Sequence, residues 1–236
     1  MLEALLWGLL ACSSLVIGAL IGVRVHKTGE AIGLLLGFGA GTLISAVSFE
    51  LADEALRVGG PGWLALGLAG GAVTYFLGSR ALGRRHGGKQ DAAAAGTLLA
   101  LGALLDGVPE SAALGLSLAQ GGEIGVALLA AVFVSNLPEA VGSSAELRSA
   151  GRPASGIIRL WAGVAVAGAL ASLLGYVLLD GAADEVIAVV QAFAAGAILT
   201  MLADAMMPDA FKDGGDAVGL ATVVGFAVAL LLSAAG

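Results

Sequence analysis

Residues 104–143 read LLDGVPESAALGLSLAQGGEIGVALLAAVFVSNLPEAVGS, and two dipeptides within them, Pro109-Glu110 and Pro138-Glu139, decide how the chain is read. Each lies in a run otherwise apolar enough to cross a membrane. Each is also preceded by polar residues at helical spacing: Asp106 before Glu110, and Ser135 and Asn136 before Glu139. A carboxylate at the centre of a bilayer costs about 2.5–3.5 kcal/mol on insertion scales, so it is rarely idle. A proline there removes one rung of the helical ladder and frees a backbone carbonyl near the acid. Repeated in two adjacent spans, the pattern predicts a cation site built at a pair of broken helices.

The rest of the composition supports a membrane setting. Of 236 residues, 58% are hydrophobic and 12% charged, and the mean hydropathy is +0.98. A soluble domain carries about twice that share of charge. The 38 glycines show no collagen period and fit closely packed membrane helices, where small residues let backbones approach. A single cysteine, Cys12, excludes an internal disulfide and any cysteine-based zinc site. It reads as a small apolar residue of the first helix. The net charge of −7 says little about partners, because several of the acids lie inside the spans, and nothing suggests nucleic acid.

Runs long enough to cross, about 20 residues each, fall at roughly 2–24, 31–55, 61–83, 93–118, 123–145, 155–179, 185–208 and 217–235. The first lacks the basic start of a signal peptide and runs on to Val25, so it reads as a true span. The connections are short and Gly-rich, leaving no room for a soluble domain. The expectation is one all-α transmembrane transport domain over residues 1–236, with eight helices and a loop at about 84–92.

Basic residues orient it. Arg24, Lys27, Arg80, Arg84, Arg85, Lys89, Arg148, Arg152, Arg159 and Lys212 all fall on one side, and Arg57 alone on the other. The larger group marks the cytoplasm. The expected protein is therefore a multi-pass protein of the cell (inner) membrane with both termini extracytoplasmic.

An internal repeat refines the arrangement. Phe38-Gly39-Ala40-Gly41 matches Phe193-Ala194-Ala195-Gly196, and the same offset places Glu54 on Asp209. With eight spans these two helices run in opposite directions, as do the two Pro-Glu spans. A 3+2+3 arrangement with inverted repeats follows, the Pro-Glu pair lying on the pseudo-two-fold axis.

The polar residues inside the spans are mostly acids and amides. Glu50 and Glu54 are one turn apart, as are Asp106 and Glu110. Ser135, Asn136, Glu139 and Ser143 make a stripe on the fifth span; Gln191, Thr200 and Asp204 decorate the seventh, and Thr42 and Ser45 the second. Acids in spans without Lys or Arg must be protonated or share a cation.

These residues resemble the ZIP family of divalent-metal transporters, and the resemblance spans the whole chain. The family's fourth and fifth spans carry His-Asn-x-Pro-Glu-Gly and His-Glu/Asp-x-Pro-Glu-Gly. This chain has Asp106-Gly107-Val108-Pro109-Glu110-Ser111 and Ser135-Asn136-Leu137-Pro138-Glu139-Ala140. The family's His-x-x-Pro-Glu at the end of span two corresponds to Glu50-Leu51-Ala52-Asp53-Glu54. Its acid before Pro-Glu in span seven corresponds to Asp204 and Pro208-Asp209. The resemblance implies transport of a divalent cation as substrate through a midplane site on helices four and five. It implies the ligands Asp106, Glu110, Asn136, Glu139 and Ser135, with Glu50 and Asp204 on the pathway, and a homodimer in the lipid bilayer.

The departures bear on the ion. Both motif histidines are replaced, by Asp106 and Ser135, and the histidine of span two by Glu50. The two histidines of the chain, His26 and His86, fall in expected loops. An almost all-oxygen ligand set suits harder ions such as manganese, magnesium or calcium better than zinc, although zinc accepts carboxylates too. No organic cofactor is implied.

Blander roles stay open at this stage. Glu110 and Glu139 can be protonated packing groups; Asn136 can be interhelical glue. Ser135 can bond back to its own helix, and Asp53 and Glu54 can be solvated caps. The alternatives to metal transport are a proton-coupled carrier of another solute and a non-transporting degenerate relative. An intramembrane enzyme lacks support, since no Ser-His, HExxH or paired catalytic aspartate motif is present.

Overall fold

The computed structural model describes residues 1–25, 29–84, 92–119, 126–179 and 181–235. Among them it is helical nearly throughout, with no strand. Helix α1 is Leu2–Gly22. Helix α2, Glu30–Ala46, passes through a π-helical turn, Val47–Ala52, into α3, Asp53–Arg84. Then come α4, Ala92–Ala119, α5, Val126–Ser149, and α6, Ala154–Leu179. Helix α7, Asp184–Met201, passes through a second π turn, Leu202–Met206, into α8, Met207–Gly214. A 3-10 turn, Gly215–Ala217, leads to α9, Val218–Ala235.

Five helical stretches among the described residues are long and apolar enough to cross a membrane. Leucines that a soluble protein would bury stand outward instead: Leu220 is 73% exposed, Leu178 71% and Leu231 69%. An apolar surface of this kind needs hydrocarbon around it, and the protein is membrane-embedded. Two of the stretches, Glu30–Ala81 and Asp184–Ala234, hold 52 and 51 residues. As straight helices they would reach about 77 Å at ~1.5 Å per residue, far beyond the ~30 Å hydrocarbon core.

Both instead turn back at a glycine. Before Gly60, contacts between the α2–α3 run and the α7–α8 run are antiparallel: Gly39 lies against Met206, and Ala55 against Ala188 and Ala192. After it they are parallel, Gly67 meeting Ala192 and Gly71 meeting Ala197. Gly60 has φ 77°, where a side chain would be strained, and Pro61 follows as a helix start. The second run does the same at Gly215, φ 62°: Gly33 packs on Ala210 and Gly214, whereas Gly37 and Gly41 pack on Val218 and Thr222 of α9.

Gly60 and Gly215 stand at the offset that relates Phe38 to Phe193, and the two π turns begin at that offset too. The packing follows suit. The most extensive helix contacts are α3 on α7, α4 on α6, α2 on α9, α1 on α5 and α1 on α6. Exchanging α1 with α6, α2 with α7, α3 with α9 and α4 with α5 returns the same set. Single contacts repeat as well. A Cβ on Gly41 would lie 1.9 Å from the Thr222 carbonyl oxygen, and one on Gly196 2.2 Å from that of Leu68. Likewise Gly22 abuts the Val141 carbonyl as Gly175 abuts that of Ala112. With lipid as apolar as leucine, backbone approach of this kind is what holds membrane helices together.

The helices lie within a few residues of the expected runs, with two extensions. Helix α5 continues to Ser149, and the run begun by α7 continues through its π turn and α8 to Gly214. The expected breaks at the Pro-Glu pairs are absent: α4 runs through Pro109 and α5 through Pro138. A proline costs one rung and leaves a carbonyl four residues earlier, here Leu105 and Val134, while the flanking rungs carry the helix on.

Candidate functional site

The Pro-Glu pairs place their residues in the interior. Glu110 is 1% exposed, in the turn of α4 beneath the fully buried Leu114. On α5, Ser135 and Asn136 are buried and Glu139 is half-buried. No Lys or Arg side chain is buried among the described residues. The Asp106 side chain lies outside the described residues, as do His26, His86 and most of the loop expected at 84–92.

Around Glu110, α1 and α6 come close. Cys12 of α1 is buried with its Sγ 3.6 Å from the Ser111 hydroxyl, and Gly168 of α6 leaves room for both side chains. Cys12 thus acts as the small packing residue expected, fixing α1 against the helix that carries Glu110.

Ser135 resolves one of the open alternatives. Its hydroxyl donates to the Val132 carbonyl at 3.1 Å, within its own helix, and its backbone packs on Gly39. The hydroxyls of Thr42 and Thr200 likewise donate to Gly39 and Gly196 at 2.7 and 2.8 Å. Such bonds satisfy the hydroxyl hydrogen within its own helix.

The π turns hold the two outlying acids. Glu50 lies in the first and Asp204 in the second. A π turn widens the helix and redirects the side chains it carries, and such turns recur at functional sites. Glu50 points toward the start of α5, where the Leu128 backbone N–H and the Ser233 hydroxyl of α9 donate to it. Leu128 is in the first helical turn, whose N–H groups have no intrahelical acceptor and favour an anion. Asp204 is exposed, away from the buried group.

Glu50 also lines a cleft of about 320 Å³ shared by four helical runs. Glu54 and Arg57 stand with it on one wall, Ala113 and Ser117 of α4 on another, and Gln191 of α7 and Leu128 of α5 complete it. Ala113 is the next α4 residue above Glu110 on that face, and Ser117 is one turn further. The α4 wall of the cleft thus begins three residues beyond Glu110. At its mouth the Arg57 guanidinium donates to Glu54, through Nε at 2.9 Å and through a second nitrogen. That hydrogen bond and the Glu54 charge raise the Arg57 pKa above its ordinary value, so it remains a cation throughout the accessible range.

The sequence thus marks Glu50 and Glu54 as sharing a face, which they do, and marks Gln191 as a polar residue of the seventh span, but it gives Ser117 no special place and joins neither to Glu50. Both come from helices far apart in the chain, and only the packing joins them to Glu50. Among the described residues no group of three or more His, Cys, Asp or Glu side chains is close enough to hold a metal ion. The packing brings together Glu50, Glu54 and Gln191 on one cleft and buries Glu110, Ser135 and Asn136; it leaves Asp204 apart. Compared with known proteins, the chain matches no protein-family model and no curated protein sequence.

Proposed function

We propose that the chain is a transporter of divalent metal cations, similar in kind to the ZIP family, and not an enzyme. One observation carries the reading: Glu110, at 1% exposure, lies in the interior of a membrane-embedded protein, on the helix whose Ala113 and Ser117, three and seven residues further on, line a cleft that also holds Glu50 and Glu54. An ionised carboxylate in that position costs several kcal/mol unless it is compensated. A cation reaching Glu110 brings a positive charge beside it on arrival and takes that charge away on leaving.

The transported ion is held by Glu110, Asn136 and Glu139, with Asp106 completing the set. Ser135 contributes least, since its neutral hydroxyl is a weaker donor to a hard cation than the carboxylates are. Glu50 guides the ion in. Eight spans in a 3+2+3 arrangement with inverted repeats explain the paired reversals at Gly60 and Gly215, the paired π turns and the exchangeable helix contacts. Such repeats expose a midplane site to each side in turn. Both termini then lie outside the cell membrane, and the protein works as a homodimer.

Metal analysis of detergent-purified protein against a panel of divalent ions tests this. The expected result is stoichiometric metal that Glu110→Ala loses. Protein that binds none of the panel, yet carries an organic solute with protons, would be the proton-coupled carrier instead.

A further inference from the structure

The mouth of the cleft holds one cation of the protein's own. Arg57 follows Glu54 by less than one turn, and its side chain is 73% exposed. It reaches back along the helix to Glu54, whose side chain is 23% exposed and lines the cleft together with Glu50. A pair this exposed contributes little to folding. Its position matters more than its strength, because it sits where the walls of the cleft focus the field of the acids within. While Arg57 is paired, one of the two cleft carboxylates is already neutralised. The residue at the repeat offset from Arg57 is Lys212, three residues after the exposed Asp209.

We propose that Arg57 sets the affinity of the cleft for divalent cations, occupying Glu54 as a tethered counter-cation that an incoming ion displaces. This rests on the transport reading. Arg57 is a positioning residue: it touches Glu54, never the transported ion. An ion of double charge gains more from displacing it than a monovalent ion does, so Arg57 also disfavours monovalent entry.

The test is initial-rate uptake of manganese and zinc into proteoliposomes, in low and high salt, by wild type, R57Q, R57K and the pair E54Q and E54Q/R57Q. The expected result is a KM lowered about two- to fivefold in R57Q, the size of an exposed charge pair. The maximal rate stays constant, and the effect shrinks at high salt as screening shortens its range. R57K, which keeps the charge, keeps the wild-type KM, and E54Q/R57Q matches E54Q once the partner is gone. An unaltered KM in R57Q, or the same fall in R57K, would overturn the inference while transport stands. No uptake by the wild type, or uptake unaffected by Glu110→Ala, would instead overturn the transport reading and this inference with it.

Discussion

Glu110 and Ser135 show how far apart two residues of matching motifs fall once their surroundings are known. Both are buried, but the Ser135 hydroxyl donates to Val132 within its own helix, whereas Glu110 is an acid in the interior of the protein. Glu110→Ala and Glu139→Ala are therefore expected to abolish cation uptake, and Ser135→Ala only to reduce it, as measured by metal flux into proteoliposomes. Under the proposed transport function, the same residues govern selectivity. With oxygen donors alone, the site discriminates poorly among divalent ions and disfavours manganese less than an imidazole site does. Asp106→His together with Ser135→His is expected to shift competition assays toward zinc. Strict zinc selectivity in the native protein would contradict this. Protons compete with the ion for the carboxylates, so binding weakens as pH falls; isothermal titration at two pH values reads the sign.

The helices owe their packing to absent side chains. At Gly41 and Gly196 an added Cβ would meet the carbonyl oxygens of Thr222 and Leu68 at 1.9 and 2.2 Å, which only a backbone shift relieves. Gly41→Ala and Gly196→Ala are each expected to cost about 1–3 kcal/mol, the range for overpacking a close interface. Thermal melts in mild detergent should show similar losses at both, because the two contacts are counterparts. Gly163→Ala, where the new Cβ meets nothing within 4 Å, should be neutral or slightly stabilising. The helices were legible in the sequence because hydropathy and length settle their existence, and the connection expected between residues 55 and 61 is where Gly60 turns the chain. The π turns were not: no residue type marks them, and the acids inside them were visible only as acids. The prolines misled in the opposite sense, since Pro109 and Pro138 announce breaks that the neighbouring rungs of α4 and α5 absorb.

In the molecule as a whole, the repeat is the property most legible in advance and the cleft the least. The match of Phe38–Gly41 to Phe193–Gly196 is local, whereas the joining of Glu50, Ser117, Leu128 and Gln191 depends on how four helical runs meet. Orientation adds a prediction of its own: a cysteine introduced at position 87 should resist labelling from outside intact cells, because ten of the eleven basic residues then share the cytoplasmic side. All of this converges on one claim, that a cation crosses the membrane past Glu110. Manganese uptake into proteoliposomes of the purified protein, compared between wild type and Glu110→Ala at equal protein incorporation, decides it. The account predicts saturable uptake by the wild type and background flux in the variant; equal uptake by both, or none by either, would contradict it.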